Sequence, residues 1–409
     1  TYINKHGEEK DKKVEIRFLD SYRFMDDSLD NLVSNLPPES FENLKTFFSE
    51  VEKFNLLLRN DVFPYDFFDG FGKLNVTKLP PIEDFSSKLN DCGIKIEDYQ
   101  HVQKVWETFD MKIFKQYHDT YLTGDTAQLA DVFENFRKLC MDNYGLDPAN
   151  YYTAPGMFWD ALFMITGHKQ ELISDLDKHL PFERGTRGGV SLIFKRFVRA
   201  NNKYMKDYDP SKPDIFLLPI DANNLYGEAM SQPLPTGIYD NASKEEIENG
   251  NWRNIQGGYI TEVDLRFGKH LHDRHNDYPL APENVKMGSS RVSKLIPNLH
   301  DKKNYFTHHR NLKCYESEGL EVTKVHRVIK FEESAWMKPY ILLNIRLRAH
   351  AKNEFERTFL KNANNAVFGK TMENLRKHVD VKLVTNEKQA RRWINKPNFC
   401  HFTIISTRT

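Results

Sequence analysis

Apolar side chains recur at helical spacing through much of the first half of the chain. The pattern is most persistent between residues 96 and 144, where its members are Val105, Phe109, Phe114, Tyr117, Tyr121, Leu129, Val132 and Phe136. Shorter stretches of the same kind lie at residues 29–36, which two prolines follow, and at residues 157–165. Because residues three and four positions apart share one face of a helix, these stretches predict amphipathic helices.

Other segments have the pattern of strands. Apolar and polar residues alternate at residues 14–19 and 259–265, and residues 379–385 predict a strand after the longest helical zone, at residues 339–378. The apolar run at residues 215–220 ends at Asp221, which predicts a strand with a carboxylate at its C-terminal end. Strands and helices do not alternate regularly, so the sequence predicts an α+β fold with helices packed on an antiparallel sheet.

Length, cysteine usage and charge limit the classes of protein. A chain of 409 residues suggests two or three domains, with the main boundary expected near residues 170–185. The isolated cysteines argue against a disulfide scaffold, and no apolar run approaches the roughly 20 residues of a membrane helix. Residues 286–409 carry a net charge of +14 and residues 1–285 the opposite charge. The basic part suits a polyanion such as nucleic acid, and equally a solvated basic surface.

A glycine- and arginine-rich segment lies near the expected boundary and runs Glu183-Arg184-Gly185-Thr186-Arg187-Gly188-Gly189. Glycines flanked by arginines suit a backbone that approaches a phosphate closely, and they are also typical of a flexible linker. Two histidine groups also occur, His270/His272/His275, which has no acidic or cysteine partners for a metal site, and His308/His309, which Arg310 follows. We interpret the first group as a soluble loop and the second as surface.

The segment after the apolar run reads Asp221-Ala222-Asn223-Asn224-Leu225-Tyr226-Gly227. A carboxylate at a strand end can hold a divalent metal, because hard cations prefer anionic oxygen ligands. The tyrosine five positions later could lie beneath a sugar bound at that metal. Taken alone, the segment fits a simple Asp-Asn-Asn turn with a packed tyrosine better.

A second segment, residues 361–370, lies within the longest helical zone. On a helix, Lys361, Asn365 and Phe368 share one face, where a cation, an amide and a ring could meet a phosphate, a base edge and a base. Basic residues extend upstream at Arg346, Arg348, Lys352 and Arg357. Taken alone, this pattern is more typical of a solvated basic helix.

Together the two segments resemble motif A (Asp-x-x-Ser-Leu-Tyr-Pro) and motif B (Lys-x3-Asn-Ser-x-Tyr-Gly) of family B DNA polymerases. Their variant forms look like the protein-primed branch encoded by Polinton/Maverick-type virus-like transposons. The separation of 140 residues between Asp221 and Lys361 leaves room for the insertion typical of that branch. Residues 271–283 and 294–299 are also similar to this group, so the resemblance covers roughly residues 14–405.

The resemblance implies a role for each matched residue. Asp221 would ligate the catalytic metals, Tyr226 would be the steric gate against a ribose 2′-hydroxyl, and Lys361 would meet the triphosphate. Asn365 and Phe368 would line the nascent base pair. The implied nucleotide-binding set is Leu225, Tyr226, Asn365, Phe368, Gly369 and Arg348. The implied template-DNA contacts are Arg187, Gly188 and Gly189, although Thr186 stands where the junction motif has a tyrosine.

The N-terminal part carries a further resemblance. Residues 121–125 are similar to the third exonuclease motif, Tyr-x3-Asp, which implies that Asp125 is a metal ligand and that Tyr121 orients a water. We therefore expect a partial 3′–5′ exonuclease-like domain of ribonuclease H-like type at residues 1–175. We expect a polymerase palm, with an antiparallel sheet, and helical fingers at residues 176–409.

The two-metal site that the resemblance implies is incomplete in this sequence. Such a site holds two metal ions, here Mg²⁺, roughly 3.5–4 Å apart. The Asp-Thr-Asp of motif C has no counterpart after Gly369, and the first two exonuclease motifs have none before Asp125. Ala349 also replaces a lysine for the triphosphate, and Pro219 lies in the strand predicted before Asp221. We expect a polymerase truncated at both ends.

The implied activity is template-directed deoxynucleotidyl transfer in the replication of a virus-like transposon. The implied partners are a DNA primer–template, deoxynucleoside triphosphates and a terminal priming protein, with no membrane. We expect residues 1–409 to bind DNA without extending a primer. A second interpretation is a non-catalytic nucleic-acid-binding remnant of such a polymerase. A nuclease that uses Asp125 alone is disfavoured, because one carboxylate cannot hold two metals.

Overall fold

Helices dominate the first part of the chain in the computed structural model, which describes residues 2–3, 9–10, 16–88, 92–188, 190–193, 195–255 and 257–405. A two-residue pair, β1 (Tyr2–Ile3) with β2 (Glu9–Lys10), precedes them. The helices are α1 (Leu29–Ser34), α2 (Glu42–Phe47), α3 (Val51–Leu56), α4 (Ile96–Thr108), α5 (Phe114–Tyr144), α6 (Ala154–Thr166) and α7 (Leu176–Gly185). The helices predicted at residues 29–36, 96–144 and 157–165 are thus confirmed, with a break between α4 and α5.

Local signals account for the ends of these helices. The Ser28 hydroxyl accepts a hydrogen bond from the Asn31 amide and caps α1, and Thr153 caps α6 in the same way. The 31-residue helix α5 ends where Gly145 adopts the left-handed conformation, at φ 67°. Glycine takes this conformation without the steric cost that a Cβ atom brings, so α5 stops there.

The middle of the chain forms an antiparallel sheet. Its elements are α8 (Leu225–Met230), β3 (Leu234–Asn241), α9 (Lys244–Glu248), β4 (Gly258–Arg266), α10 (His272–His275), β5 (Glu283–Lys286), β6 (Ser293–Ile296), β7 (Lys302–His308), α11 (His309–Ser317) and β8 (Glu321–Ser334). Four strands pair in the order β3-β8-β4-β7, and β5 and β6 form a separate hairpin. Together with the helices, this sheet confirms the α+β prediction.

Two apolar layers cover the two faces of the four-stranded sheet. On one face, Tyr259, Val263 and Leu265 of β4 pack with Trp252 and with Leu312 of α11. On the other face, Ile260, Phe306, Ile329 and Phe331 pack against Phe182 of α7. Because successive residues of a strand point to opposite faces, β4 is buried along nearly its whole length between these two layers.

The last long helices are α12 (Lys338–Ala349) and α13 (Glu354–Thr371). They return to the N-terminal helices and share one hydrophobic core with them. In this core the ring of Phe359 on α13 lies 5.4 Å from that of Phe136 on α5 and 5.5 Å from that of Phe158 on α6, measured between centroids. Helices from both sides of the predicted boundary near residues 170–185 therefore bury one another. The division into domains at residue 175 stays a prediction.

By compactness the chain divides into two units, Thr1–Thr371 and Met372–Thr409. Among its described residues, 372–405, the second unit contains one α-helix, α14 (Glu387–Ile394), which the Asn386 side chain caps. Within the part of the chain that the structure describes, no helix has both the length and the apolar character to cross a membrane.

Three predicted elements differ from the structure. Residues 16–19, the described part of the strand predicted at 14–19, are irregular and exposed except for the half-buried Leu19, and residues 379–384 of the strand predicted at 379–385 are irregular and exposed. Residues 216–221 form no strand either, and Ile215 makes only an isolated bridge to Asn201. The helical zone at residues 339–378 is two helices that residues 350–353 separate.

Candidate active site

The motif A segment ends in a short helix that a special turn positions. Asn224 adopts the left-handed conformation, at φ 58°, and its carbonyl accepts a hydrogen bond from the Glu228 amide, which opens α8. The Asn224 side chain lies over Gly227, where a Cβ atom would come within 2.3 Å of the amide nitrogen. Glycine at position 227 therefore lets this turn close and places Tyr226 on the first turn of α8.

The motif B segment lies on α13, whose two faces differ sharply. The buried face contains Phe355, Phe359, Leu360, Ala363, Asn364 and Val367. Lys361 and Asn365 are exposed on the opposite side, and Phe368 is half-buried at the edge between the two faces. The apolar face anchors the helix in the shared core, so the functional groups of motif B face outward.

The two motifs meet through their aromatic residues. The rings of Tyr226 and Phe368 are stacked with centroids 4.0 Å apart and an angle of 11° between their planes. Tyr226 remains 44% exposed, so only part of its ring is covered. The structure thus brings together a motif A residue and a motif B residue that are far apart in the sequence.

An open cavity of about 360 Å³ lies next to α8. Its walls include Asn224, Gly227 and Glu228 from the motif A turn and Lys338 and Leu342 from α12. The cavity has both an acidic and a basic group at its walls and exposes part of the motif A turn to solvent.

Positive charge is concentrated around α12 and α13. Arg346 and Arg348 are exposed in the last turn of α12, Lys352 follows in the connection, and Lys361 is exposed on α13. None of these four cations forms an ion pair with another described residue. Their charge is therefore available to an anionic ligand, in keeping with the basic character predicted for this part of the chain.

A chain of buried polar groups fixes how α5, α12 and α13 pack. The Tyr144 hydroxyl on α5 donates to Asn344 Oδ1 at 2.8 Å, and Asn344 Nδ2 donates to Asn364 Oδ1 at 2.8 Å. Burial raises the pKa of the Tyr144 hydroxyl well above its ordinary value, which keeps it protonated as a donor. Asn364 stands directly before Asn365 of motif B, and nothing in the sequence pattern singled out its role.

The glycine- and arginine-rich segment is held by its arginine. Arg187 donates from one guanidinium nitrogen to the carbonyls of Phe306, at 2.6 Å, and Gly185, at 3.2 Å. Its guanidinium also lies 4.0 Å from the centre of the Tyr305 ring. Gly188 is exposed, and Gly189 lies outside the described residues. Arg187 is thus anchored to β7, with part of its donor capacity already used.

The predicted exonuclease-like residues lie on the middle of α5. Asp125 Oδ1 accepts a hydrogen bond from Asn60 Nδ2 at 2.9 Å, and the hydroxyls of Tyr121 and Tyr65 are 2.8 Å apart. Burial raises the pKa of Tyr121 far above its ordinary value, and the nearby carboxylate of Asp125 adds to this effect. Tyr121 is therefore neutral and can donate or accept a hydrogen bond.

The described residues do not supply a complete metal site at Asp221. No group of three potential ligands within the described part of the chain includes Asp221, so the residues present fit one ligand of a two-metal site and not the whole of it. One such group, His308, His309 and Glu333, occurs at the end of β7 and β8. It is partly buried rather than surface, which corrects the interpretation made from the sequence.

The tautomer of the two rings makes the histidine group a poor metal site. The Nδ1 atoms of His308 and His309 accept hydrogen bonds, both at 3.3 Å, from the amides of Arg310 and Tyr259. Burial lowers the pKa of His308 to about 3 and also lowers that of His309, so both rings are neutral at pH 7. A neutral ring that accepts at Nδ1 carries its proton at Nε2 and has no second lone pair for a metal.

Comparison with known sequences points to a polymerase family. A family model described as "DNA polymerase type B, organellar and viral" matches residues 201–401, a range that contains both Asp221 and the whole of α13. Residues 201–401, just under half of the chain, therefore match that family of polymerases. The search of curated proteins found no match.

Solved structures of phi29 DNA polymerase are similar to this chain at low sequence identity. An orthorhombic crystal form has 13% identity and a TM-score of 0.43, and the match covers 87% of this chain and 48% of the phi29 chain. A ternary complex with primer-template DNA and incoming nucleotide has 15% identity and a TM-score of 0.40, with 76% and 47% covered. The chain spans about half the length of these phi29 polymerase chains.

Proposed function

We propose that this chain carries the nucleotide-binding part of a DNA polymerase active site and acts in template-directed deoxynucleotidyl transfer. The observation that carries this proposal is the stack of Tyr226 on Phe368, because it brings a motif A side chain and a motif B side chain into direct contact. Lys361 and Asn365 are exposed on the same helix as Phe368, where a nucleotide can reach them.

In this proposal each side chain has one role. Tyr226 lies beneath the sugar and excludes a ribose 2′-hydroxyl, since a rigid ring discriminates by shape. Lys361 and Arg348 neutralise the triphosphate through charge-assisted contacts, and Asn365, Phe368, Leu225 and Gly369 line the nascent base pair. Asp221 would be a ligand of Mg²⁺, which supplies charge neutralisation at the triphosphate when bound.

The proposed macromolecular partner is a DNA primer–template. The positive charge of residues 286–409 supports this, because phosphate contacts that release counterions supply most of the affinity of sequence-independent DNA binding. Arg187 and Gly188, with Gly189, are proposed contacts to the template strand. One phi29 DNA polymerase structure is a complex with primer-template DNA, and the resemblance to the protein-primed branch suggests a terminal priming protein as a further partner.

For the N-terminal part we propose an exonuclease-like region in which Asp125 and Tyr121 face the substrate. The wider biological role that we propose is DNA replication of a virus-like transposon. A second candidate function, a nucleic-acid-binding protein without polymerase activity, is favoured by one observation. The only metal-ligand candidate in motif A is Asp221, and the segment before it pairs with no described strand beyond the bridge at Ile215.

A nucleotide-binding assay tests the site directly. We expect a fluorescent deoxynucleoside triphosphate to bind in the presence of Mg²⁺ and primer-template, and Lys361→Ala to weaken this binding roughly tenfold or more, because a charge-assisted contact contributes about 1.5–3 kcal/mol. The matched control is Lys313→Ala, the same change at an exposed lysine on α11, which should leave the affinity unchanged. Equal affinities for both variants would contradict the proposal.

Primer extension on the same preparation separates the two candidate functions. Because the described residues supply an incomplete metal site at Asp221, we expect residues 1–409 to bind primer-template and to show no extension. Binding should weaken steeply with salt and show little sequence preference. Robust extension would establish the polymerase activity in this chain itself, and binding that is indifferent to salt would contradict the DNA-binding proposal.

A further inference from the structure

One polar side chain from each of α5, α12 and α13 takes part in a hydrogen-bonded network inside the shared core. The polar network consists of Tyr144, Asn344 and Asn364, and none of the three is more than 5% exposed. The Asn344 amide uses both of its ends, because Oδ1 accepts from the Tyr144 hydroxyl and Nδ2 donates to Asn364 Oδ1. Its orientation is therefore fixed by two helices at once.

The side chains around the polar network are apolar or aromatic. The Tyr144 ring lies 6.1 Å from that of Tyr340 and 6.2 Å from that of Phe359, measured between centroids. Apolar contacts tolerate sliding and repacking, whereas a hydrogen bond between amides needs a donor–acceptor distance of about 2.9 Å. A polar pair buried among such contacts therefore selects one register of its helices, which is the best-attested use of buried polar groups.

The polar network lies next to two cations that are proposed to bind the triphosphate. Arg348 follows Asn344 by four residues on α12, and Lys361 precedes Asn364 by three on α13. These intervals correspond to about 6 Å and about 4.5 Å along the two helix axes. Both cations are exposed, and both lie on the side of the network that leads to the connection at residues 350–353. Their separation therefore depends on how α12 is placed along α13.

The separation of Arg348 and Lys361 matters because binding groups contribute fully only within about 0.5 Å of their productive geometry. We propose, on the basis of the proposed function of these two cations, that the polar network is a positioning device that holds them at the separation that a triphosphate requires. Its side chains are buried, so they act through the two cations and do not contact the nucleotide. Because Tyr144 belongs to α5, the N-terminal helices take part in this positioning.

Replacement of the whole network by apolar side chains separates positioning from stability. Asn364→Leu alone leaves Asn344 Nδ2 buried without its acceptor and should lower the melting temperature. The triple variant Tyr144→Phe/Asn344→Leu/Asn364→Leu removes all the polar partners together and should restore the melting temperature, because apolar groups of similar shape replace them. We expect this stable variant to bind the fluorescent deoxynucleoside triphosphate about tenfold more weakly than the unchanged chain, the loss that follows when one charge-assisted contact is misaligned.

The control is Leu44→Ala, which truncates a fully buried side chain of α2 in the shared core. It should lower the melting temperature and leave the nucleotide affinity unchanged at a temperature where the variant is folded. If the affinity instead follows the melting temperature, and so recovers in the triple variant, the network is only structural and the proposal is overturned.

Tyr144→Phe gives the same test with a smaller change, in case the triple variant does not fold. It keeps the ring and removes one hydroxyl, so we expect the nucleotide affinity to fall about threefold, as for one ordinary hydrogen bond. An affinity equal to that of the unchanged chain would contradict the positioning role.

Spin labels distinguish failure of this proposal from failure of the polymerase proposal. Labels at Arg346→Cys and Thr358→Cys, which are exposed positions on α12 and α13, report the separation of the two helices without any nucleotide, once the exposed native cysteines are changed to serine. We expect one narrow distance with the network intact and a broader distribution in the triple variant. An equally narrow distribution there would overturn the positioning proposal. Broadening in a chain that binds no nucleotide would refute the polymerase proposal and would still show that the network sets the register.

Discussion

The segments of motif A and motif B differ in how completely they fold. Motif B lies on α13, a regular helix with six buried side chains on one face. The segment that precedes Asp221 is more apolar in sequence than α13, but Phe216, Leu218 and Ile220 are 60%, 76% and 81% exposed. The more apolar of the two stretches is therefore the one that is not buried.

The difference follows from where each element finds its hydrogen bonds. A helix satisfies its own backbone groups, so α13 needs its neighbours only to bury one apolar face. A strand needs a second strand for every hydrogen bond, and within the described residues this segment pairs only where Ile215 meets Asn201. Pro219 adds to the effect, because it has no amide hydrogen to donate to a partner strand.

Truncation of one phenylalanine in each region is the strongest test of this comparison. Phe359→Ala removes a ring that contacts α5 and α6 in the shared core and should lower the free energy of unfolding by about 3–5 kcal/mol in urea titrations. Phe216→Ala, the same change in the exposed segment, should alter it by less than about 0.5 kcal/mol. Similar losses at both positions would mean that the motif A segment is packed in solution.

The buried amide pair should give the next largest effect. Asn364→Ala leaves Asn344 Nδ2 buried without its acceptor and should cost about 1–3 kcal/mol of unfolding free energy. Asn365→Ala, one position later on the exposed side of α13, is the control and should change stability by less than about 0.5 kcal/mol. The same urea titrations measure both variants. A larger loss of unfolding free energy for Asn365→Ala than for Asn364→Ala would show that the exposed face of α13 contributes more to stability than the buried amide pair.

The smallest effect should come from the contact between the two regions. A double-mutant cycle with Tyr226→Ala and Phe368→Ala should give a coupling energy of about 0.5–1.5 kcal/mol, as expected for a stacked aromatic pair. The cycle corrects for the separate cost of each truncation, so it isolates the contact itself. A coupling energy of zero would indicate that Tyr226 and Phe368 are not in contact in solution.

Strand β4 shows what happens when an alternating segment does have partner strands. Its alternating pattern resembles the one at residues 379–384, yet β4 pairs with β7 and β8 and is buried, whereas residues 379–384 are irregular and exposed. The alternation of apolar and polar residues predicts a strand at both places and does not show which of the two finds a partner strand. The presence of neighbouring strands made the difference, since alternation describes a face and does not supply a partner.

The sequence by itself determined the helical stretches at residues 29–36, 96–144 and 157–165 and the resemblance of two motifs to family B DNA polymerases. Helical periodicity is local, which is why α1 and α6 could be predicted within a few residues. The motifs around Asp221 and Lys361 likewise lie within short stretches of sequence. The break at residues 350–353 was missed because no glycine or proline marks it, and only packing of α12 against α13 made it visible.

Only the tertiary structure decided which residues come together across long distances. The stack of Tyr226 on Phe368, the pair of Asn344 with Asn364 and the hydrogen bond of Asn60 to Asp125 each join segments that no sequence period connects. The physical reason is that helix formation depends on near neighbours, whereas strand pairing, buried polar contacts and cavities depend on partners that the fold alone brings within reach.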